Sequence, residues 1–105
     1  MSTLVQHVRN SIIGDRQRIG TPFGDKPLVY ADYVASGRSL SFIEDFIREQ
    51  VLPYYGNTHT EASYAGAQIT ALREQARSEI KRCLNCGPDD QLIFCGSGAT
   101  AAINK

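Results

Sequence analysis

Leu92-Ile93-Phe94-Cys95-Gly96-Ser97-Gly98-Ala99-Thr100-Ala101-Ala102 decides how this chain is read. Leu92 to Cys95 is short, apolar and bounded by Asp89-Asp90 before and Gly96 after, which predicts a buried strand. Gly96 and Gly98 permit a sharp turn and a close approach of backbone. The stretch from Ala99 to Asn104 is rich in alanine and carries a hydroxyl at Thr100. A helix is expected to start there, with its first amides unpaired above the strand end. Such amides suit an anion, and phosphate is the natural occupant. Thr100 would serve equally as a plain helix N-cap.

Composition bounds what surrounds this turn. At 105 residues and 42% hydrophobic content, the chain is the size of one domain and could bury about two-thirds of its unfolded surface. Eleven basic and eleven acidic side chains balance, and neither sign forms a block, which argues against a nucleic-acid partner. No apolar stretch approaches the ~20 residues of a membrane helix, so no membrane partner is expected. The first eighteen residues are amphipathic, with Leu4, Val5, Val8, Ile12 and Ile13 set against Arg9, Arg16 and Arg18. Because Asp15 interrupts the basic residues, this reads as a packing helix rather than a targeting segment, and the expected location is cytoplasmic. Cys83, Cys86 and Cys95 are an odd number, expected to be reduced thiols. Cys83-Leu84-Asn85-Cys86 has metal or redox spacing but no second pair, so no metal site is expected.

Further along the chain, Gly14, Gly20, Pro22, Gly24 and Pro27 punctuate residues 14 to 27, read as a surface loop. Leu28 to Asp32 is a candidate strand, followed by the small and polar Tyr33-Val34-Ala35-Ser36-Gly37, the kind of strand end where ligands sit in an open α/β sheet. Ser41 with Glu44 three residues on predicts a capping box opening a helix, with Ile43, Phe46, Ile47 and Val51 as its apolar stripe and Pro53 as its end or kink. Tyr55-Gly56-Asn57-Thr58-His59 is a loop. Ala62, Ala65, Ile69, Leu72, Ala76, Ile80 and Cys83 then mark a long helix, which Gly66 could delay and Gly87-Pro88 should stop. The order predicts an α/β protein of three to four helices and two strands, the front part of something larger. A lone pair of strands would leave apolar faces uncovered.

Three blocks carry a resemblance: Tyr30-Ala31-Asp32-Tyr33-Val34-Ala35-Ser36, Tyr55-Gly56-Asn57-Thr58-His59, and Leu92 through Asn104. In order and spacing they resemble the beginning of class V aminotransferases, the group that includes cysteine desulfurases and selenocysteine lyases. The resemblance covers residues from about 28 to 105 and implies the N-terminal part of a fold-type I large domain, preceded over residues 1 to 27 by a helix and surface loop. It implies pyridoxal 5'-phosphate as cofactor, an amino-acid substrate and a homodimer. Gly98, Ala99 and Thr100 match the positions that hold the cofactor phosphate. Asp32, Ala35, Ser36, Asn57 and His59 would lie near the substrate. The Schiff-base lysine, the aspartate partner of the pyridine nitrogen and the stacking histidine of the family have no counterparts in these blocks, and Lys26, Lys81 and Lys105 stand elsewhere. The chain by itself is therefore expected to be inactive, with no catalytic residue assigned.

Other readings of the same residues stay open. Gly96-x-Gly98-x-x-Ala101 fits a Rossmann-type dinucleotide fingerprint, which asks for an acidic residue about 20 positions further on. A non-catalytic association module, held together through exposed strand edges and amphipathic helices, is a third. His59 has no identifiable orienting carboxylate and could be an exposed turn histidine, Asp32 could simply accept backbone amides, and Tyr54-Tyr55 could be packing residues.

Overall fold

The computed structural model describes residues 2–58, 62–96 and 98–105. It divides into two compact units, Met1–Pro53 and Tyr54–Lys105.

The first unit opens with α1 (Thr3–Ser11), whose N-cap Ser2 accepts from the Val5 amide. Near its end the Ser11 hydroxyl donates to the His7 carbonyl at 2.7 Å, which satisfies a side chain only 8% exposed. Ile12 then forms an antiparallel bridge with Leu40, and the Ile13 amide donates to the Ser39 carbonyl at 3.0 Å. These contacts tie the end of α1 to the start of α2 (Ser41–Phe46), and the His7 and Phe42 rings stack at 4.7 Å.

Residues 14 to 27 are not the expected loop. They hold an antiparallel hairpin of β1 (Arg18–Thr21) and β2 (Gly24–Pro27), paired from Arg18 with Pro27 to Thr21 with Gly24. Two of the residues that read as loop punctuation, Pro22 and Gly24, close its turn. Pro22 presets its own backbone angle, and Gly24 takes φ +87° where a side chain would be strained. The Thr21 hydroxyl donates to the Gly24 carbonyl at 2.6 Å and accepts the Phe23 amide at 3.2 Å.

Both strands expected from the apolar runs are absent. Leu28 to Asp32 and Leu92 to Cys95 belong to no ladder. Val29 is 83% exposed. The Leu28 amide donates to the Gln17 carbonyl at 2.8 Å just past the hairpin, but among the described residues neither run has a neighbouring strand to continue the pairing. The expected capping box of Ser41 and Glu44 does not form either. Leu40 is held extended by its bridge to Ile12 and becomes the N-cap, with no side-chain cap bond. The amides of Ile43 and Glu44 go to the Leu40 carbonyl, so Ser41 is already helical and its hydroxyl does not cap. Pro53 acts as expected. The turn before it widens, with the Leu52 amide reaching back to Ile47, and a short tight turn over Leu52–Tyr54 ends the helix. A proline ring displaces the carbonyl four residues earlier and offers no amide of its own.

In the second unit α3 (Tyr64–Cys83) is the main element. It begins before Gly66, not after it, because the Ser63 hydroxyl caps the Gly66 amide at 3.1 Å and Gly66 is buried in its first turn. The helix also stops earlier than Gly87. Asn85 takes the left-handed conformation, φ 56°. The Cys86 amide reaches the Lys81 carbonyl at 3.0 Å and the Asn85 amide the Arg82 carbonyl at 3.1 Å. That pair of bonds is the Schellman arrangement, with Asn in the place glycine usually fills. A turn from Gly87 to Asp90 follows, in which the Asp90 carboxylate accepts the Gly87 amide at 2.6 Å. The last element is α4 (Gly98–Ile103).

Among the described residues no hydrophobic side chain is buried. The apolar stripes expected from spacing exist as faces but are not covered: in α3 only Ala65, Ile69 and Leu72 of the seven positions are half-buried. Among the described residues, no helix is long and apolar enough to cross a membrane.

Candidate functional site

In the first unit, the loop after Leu28 is closed on itself by Tyr30. Its hydroxyl donates to the Ser36 carbonyl at 2.5 Å and lies 3.3 Å from that of Asp32. The amides of Ala35 and Ser36 both go to the Asp32 carbonyl at 3.1 Å. Asp32, Ala35 and Ser36 are therefore brought together in one turn. Asp32 organises it through its backbone oxygen, while its exposed carboxylate has no hydrogen-bond or ion-pair partner among the described residues. Tyr33 packs edge-on against the Tyr30 ring at 5.1 Å. Arg38 lies over that ring, its guanidinium carbon 4.7 Å from the centroid. Spacing alone gave no sign of Arg38, because a cation–π contact depends on where the loop returns, not on a fixed interval.

In the second unit, Asn57 lines a cavity of about 360 Å³ with Tyr55, Gly56, Thr58 and Ile69. Thr58 is held by α3, since its carbonyl accepts the Thr70 hydroxyl at 2.9 Å. Gly56 makes this approach possible: a Cβ there would sit 3.2 Å from both the Ala65 methyl and the Gly66 amide nitrogen. Tyr54 packs edge-on against Tyr64 at 5.9 Å, in keeping with a packing role. His59 lies outside the described residues.

The glycine turn ends in α4 as the spacing predicts, though without a strand in front of it. Gly98 has φ +82° and opens the helix, one residue earlier than expected. A Cβ on Gly98 would meet nothing within 4 Å, and Gly98, Ala99 and Thr100 are all exposed. Thr100 sits within the first turn, with its carbonyl taken by the Asn104 amide at 3.1 Å. Gly96 lies close to the helix, since a Cβ there would be 3.6 Å from the Ala101 methyl. Ser97 lies outside the described residues. What docks the preceding run is Phe94, with the guanidinium carbons of Arg73 and Arg77 at 5.5 and 5.3 Å from its ring centroid. Arg73 and Arg77 fall outside the apolar stripe of α3, where spacing alone suggests contact with solvent. Their spacing of four puts them on one side of α3, and only the return of the chain gives that side a ring to meet.

The three cysteines are free thiols. Cys83 and Cys86 flank the left-handed Asn85, so their spacing reflects how α3 terminates. The clearest electrostatic coupling also lies at that end of α3 and away from the candidate residues. The Arg82 guanidinium holds the Glu79 carboxyl below its ordinary range, helped by the Cys83 thiol, and Arg82 is raised in turn.

No curated protein and no solved structure matches the chain. Residues 29–105, which include all three resembling blocks in full, match the family model described as Aminotransferase class-V. With well over half of its length so matched, the chain belongs to the class V aminotransferase family.

Proposed function

We propose that this chain is the N-terminal part of a pyridoxal-phosphate-dependent enzyme acting on an amino-acid substrate, and that Gly98, Ala99 and Thr100 hold the phosphate of the cofactor. The observation that carries the reading is the start of α4. The left-handed Gly98 turns the chain into the helix with open space above it, and the exposed Thr100 lies in the same turn. A helix start presents unpaired amides and the positive end of its dipole, which fits a phosphate. When bound, this cofactor acts as an electron sink for bonds at the substrate's α-carbon. In this chain the Gly98–Thr100 turn would anchor and orient the phosphate end. The Asp32–Ser36 turn and the Asn57–His59 loop would contribute to the substrate side.

On this reading residues 1–27 precede the large domain, which begins at 28, and the parent enzyme is a cytoplasmic homodimer of fold type I. Desulfuration, transamination and selenocysteine cleavage are all within the family's range. The lysine that binds the cofactor covalently would come from another part of the parent, and the chain alone is inactive. The exposed apolar faces support the view that further sequence covers them. A dinucleotide reading of Gly96-x-Gly98-x-x-Ala101 would not account for the family match reaching back to residue 29.

The test compares retention of pyridoxal 5'-phosphate with that of pyridoxal, which lacks the phosphate, in the parent enzyme and in its Thr100→Val variant. The phosphate form should be preferred, and the variant should lose about 1–3 kcal/mol of that preference, the scale of a hydrogen bond to a charged group. Equal retention by both proteins would show that the hydroxyl has no part in phosphate binding.

A further inference from the structure

The turn after α1 gathers positive charge without a matching set of acids. Arg9 lies in the last turn of α1, and with Asn10, Gly14, Asp15, Arg16 and Gln17 it lines a cleft of about 570 Å³. Gly14 has φ +91°, and a Cβ on it would lie 3.7 Å from the guanidinium carbon of Arg38. A third guanidinium thus stands against the same turn, held in place over the Tyr30 ring. Among the described residues, the ion pairs engage Arg48, Arg77 and Arg82, and Arg9, Arg16 and Arg38 have no acidic partner. Asp15 is the one acid lining the cleft among the described residues. Arg9 has a partial explanation, because a cation in the last turn offsets the negative end of the helix dipole. Arg16 and Arg38 do not share it.

We propose that this cleft binds a small phosphate monoester that carries hydroxyl groups. A guanidinium presents paired N–H donors that match phosphate oxygens two at a time. Asn10 adds a donor: its Oδ1 already accepts from Gln6 Nε2 at 2.9 Å, which leaves the amide N–H groups to point elsewhere. Asp15, acceptor-only when ionised, would repel a bare anion and suits a hydroxyl on the organic part of the ligand. The cleft lies within the size range of small-molecule sites. All of its parts belong to the first unit, so the inference is independent of the reading of α4.

The test is calorimetric titration of the chain with ribose 5-phosphate, with ribose as the uncharged control. Saturable binding of the phosphate ester alone is expected, weakened at least tenfold in Arg16→Gln and partly restored in Arg16→Lys. Arg48→Gln, which alters an arginine that is ion-paired to Asp45 and Glu49 and lies outside the cleft lining, should bind as tightly as the unaltered chain. Amide chemical-shift changes on titrating the unaltered chain should cluster at residues 9–17 and 38, which keeps the result readable if a variant folds poorly. Absence of saturable binding would overturn the proposal. So would affinity kept in full by Arg16→Gln, or shift changes confined to residues 98–105, which would assign the anion to α4 instead.

Discussion

Gly56 lies so close to Ala65 that a Cβ on the glycine would stand 3.2 Å from the alanine methyl. The other atoms within reach are helix backbone, the Gly66 nitrogen at 3.2 Å and the Ala65 carbonyl carbon at 3.3 Å, and backbone in a first helical turn has little room to yield. Gly56→Ala should therefore push the 55–58 loop off α3 and destabilise this contact by about 1–3 kcal/mol, the scale of overpacking. Thermal melting followed by circular dichroism would show it. An unchanged melt would mean that the loop moves aside freely.

Tyr30 closes the Asp32–Ser36 turn through its hydroxyl, whereas its ring is held separately by Tyr33 and Arg38. Tyr30→Phe keeps the ring and removes the donor. The turn should loosen by about 0.5–1.5 kcal/mol, read as faster hydrogen exchange at the amides of Ala35 and Ser36, with exchange in α3 unchanged.

Asn85 holds a left-handed conformation that ends α3. An alanine there meets a strain of about 1–2 kcal/mol, while glycine meets none. Asn85→Ala should fray the last turn of α3 and Asn85→Gly should preserve it. Hydrogen exchange at Asn85 and Cys86 distinguishes the two, and equal fraying in both variants would show that the Asn side chain, not its backbone, makes the cap.

Glu79 and Arg82 lie three residues apart on α3 and are hydrogen-bonded, Nε to Oε2 at 3.0 Å. The contact lowers the Glu79 pKa in the folded chain. The unfolded state therefore takes up the proton first as acid is added. The contribution of the pair is complete above the ordinary glutamate value and is lost as the pH falls through the lowered one. Helicity of α3 should decline over that acid window, less so in Glu79→Gln and less so in high salt, because both groups are solvent-exposed and screened. A titration identical in Glu79→Gln would assign the decline to other carboxylates.

The parts of this protein legible in its sequence are those settled within a few residues. Pro53 ends its helix because a ring and a missing amide act on the turn just before them. Gly98 turns into α4 because only glycine enters that backbone region freely. The resemblance of three blocks to class V aminotransferases, read from residue types in order, agrees with the family match. The extent of α3 was legible from the three- and four-residue recurrence of its apolar positions, but its first residue depended on Ser63 and its last on Asn85.

The strands lie elsewhere than the apolar runs suggest, for a physical reason. An apolar run is not a strand until another backbone lies beside it. Among the described residues, Leu92 to Cys95 and Leu28 to Asp32 have the side chains of strands but belong to no strand pair, with only the Leu28 amide reaching a neighbour, the Gln17 carbonyl. By contrast, Arg18–Thr21 and Gly24–Pro27 are largely polar and pair because Pro22 and Gly24 fold one back onto the other. The return of Phe94 to Arg73 and Arg77 and of Arg38 to Tyr30 and Gly14 likewise depends on where distant parts of the chain meet. The sequence by itself determined the local turns, the helices and the family. Tertiary structure alone decided which backbones pair and which charges are left facing one another, because those depend on contacts that no short spacing encodes.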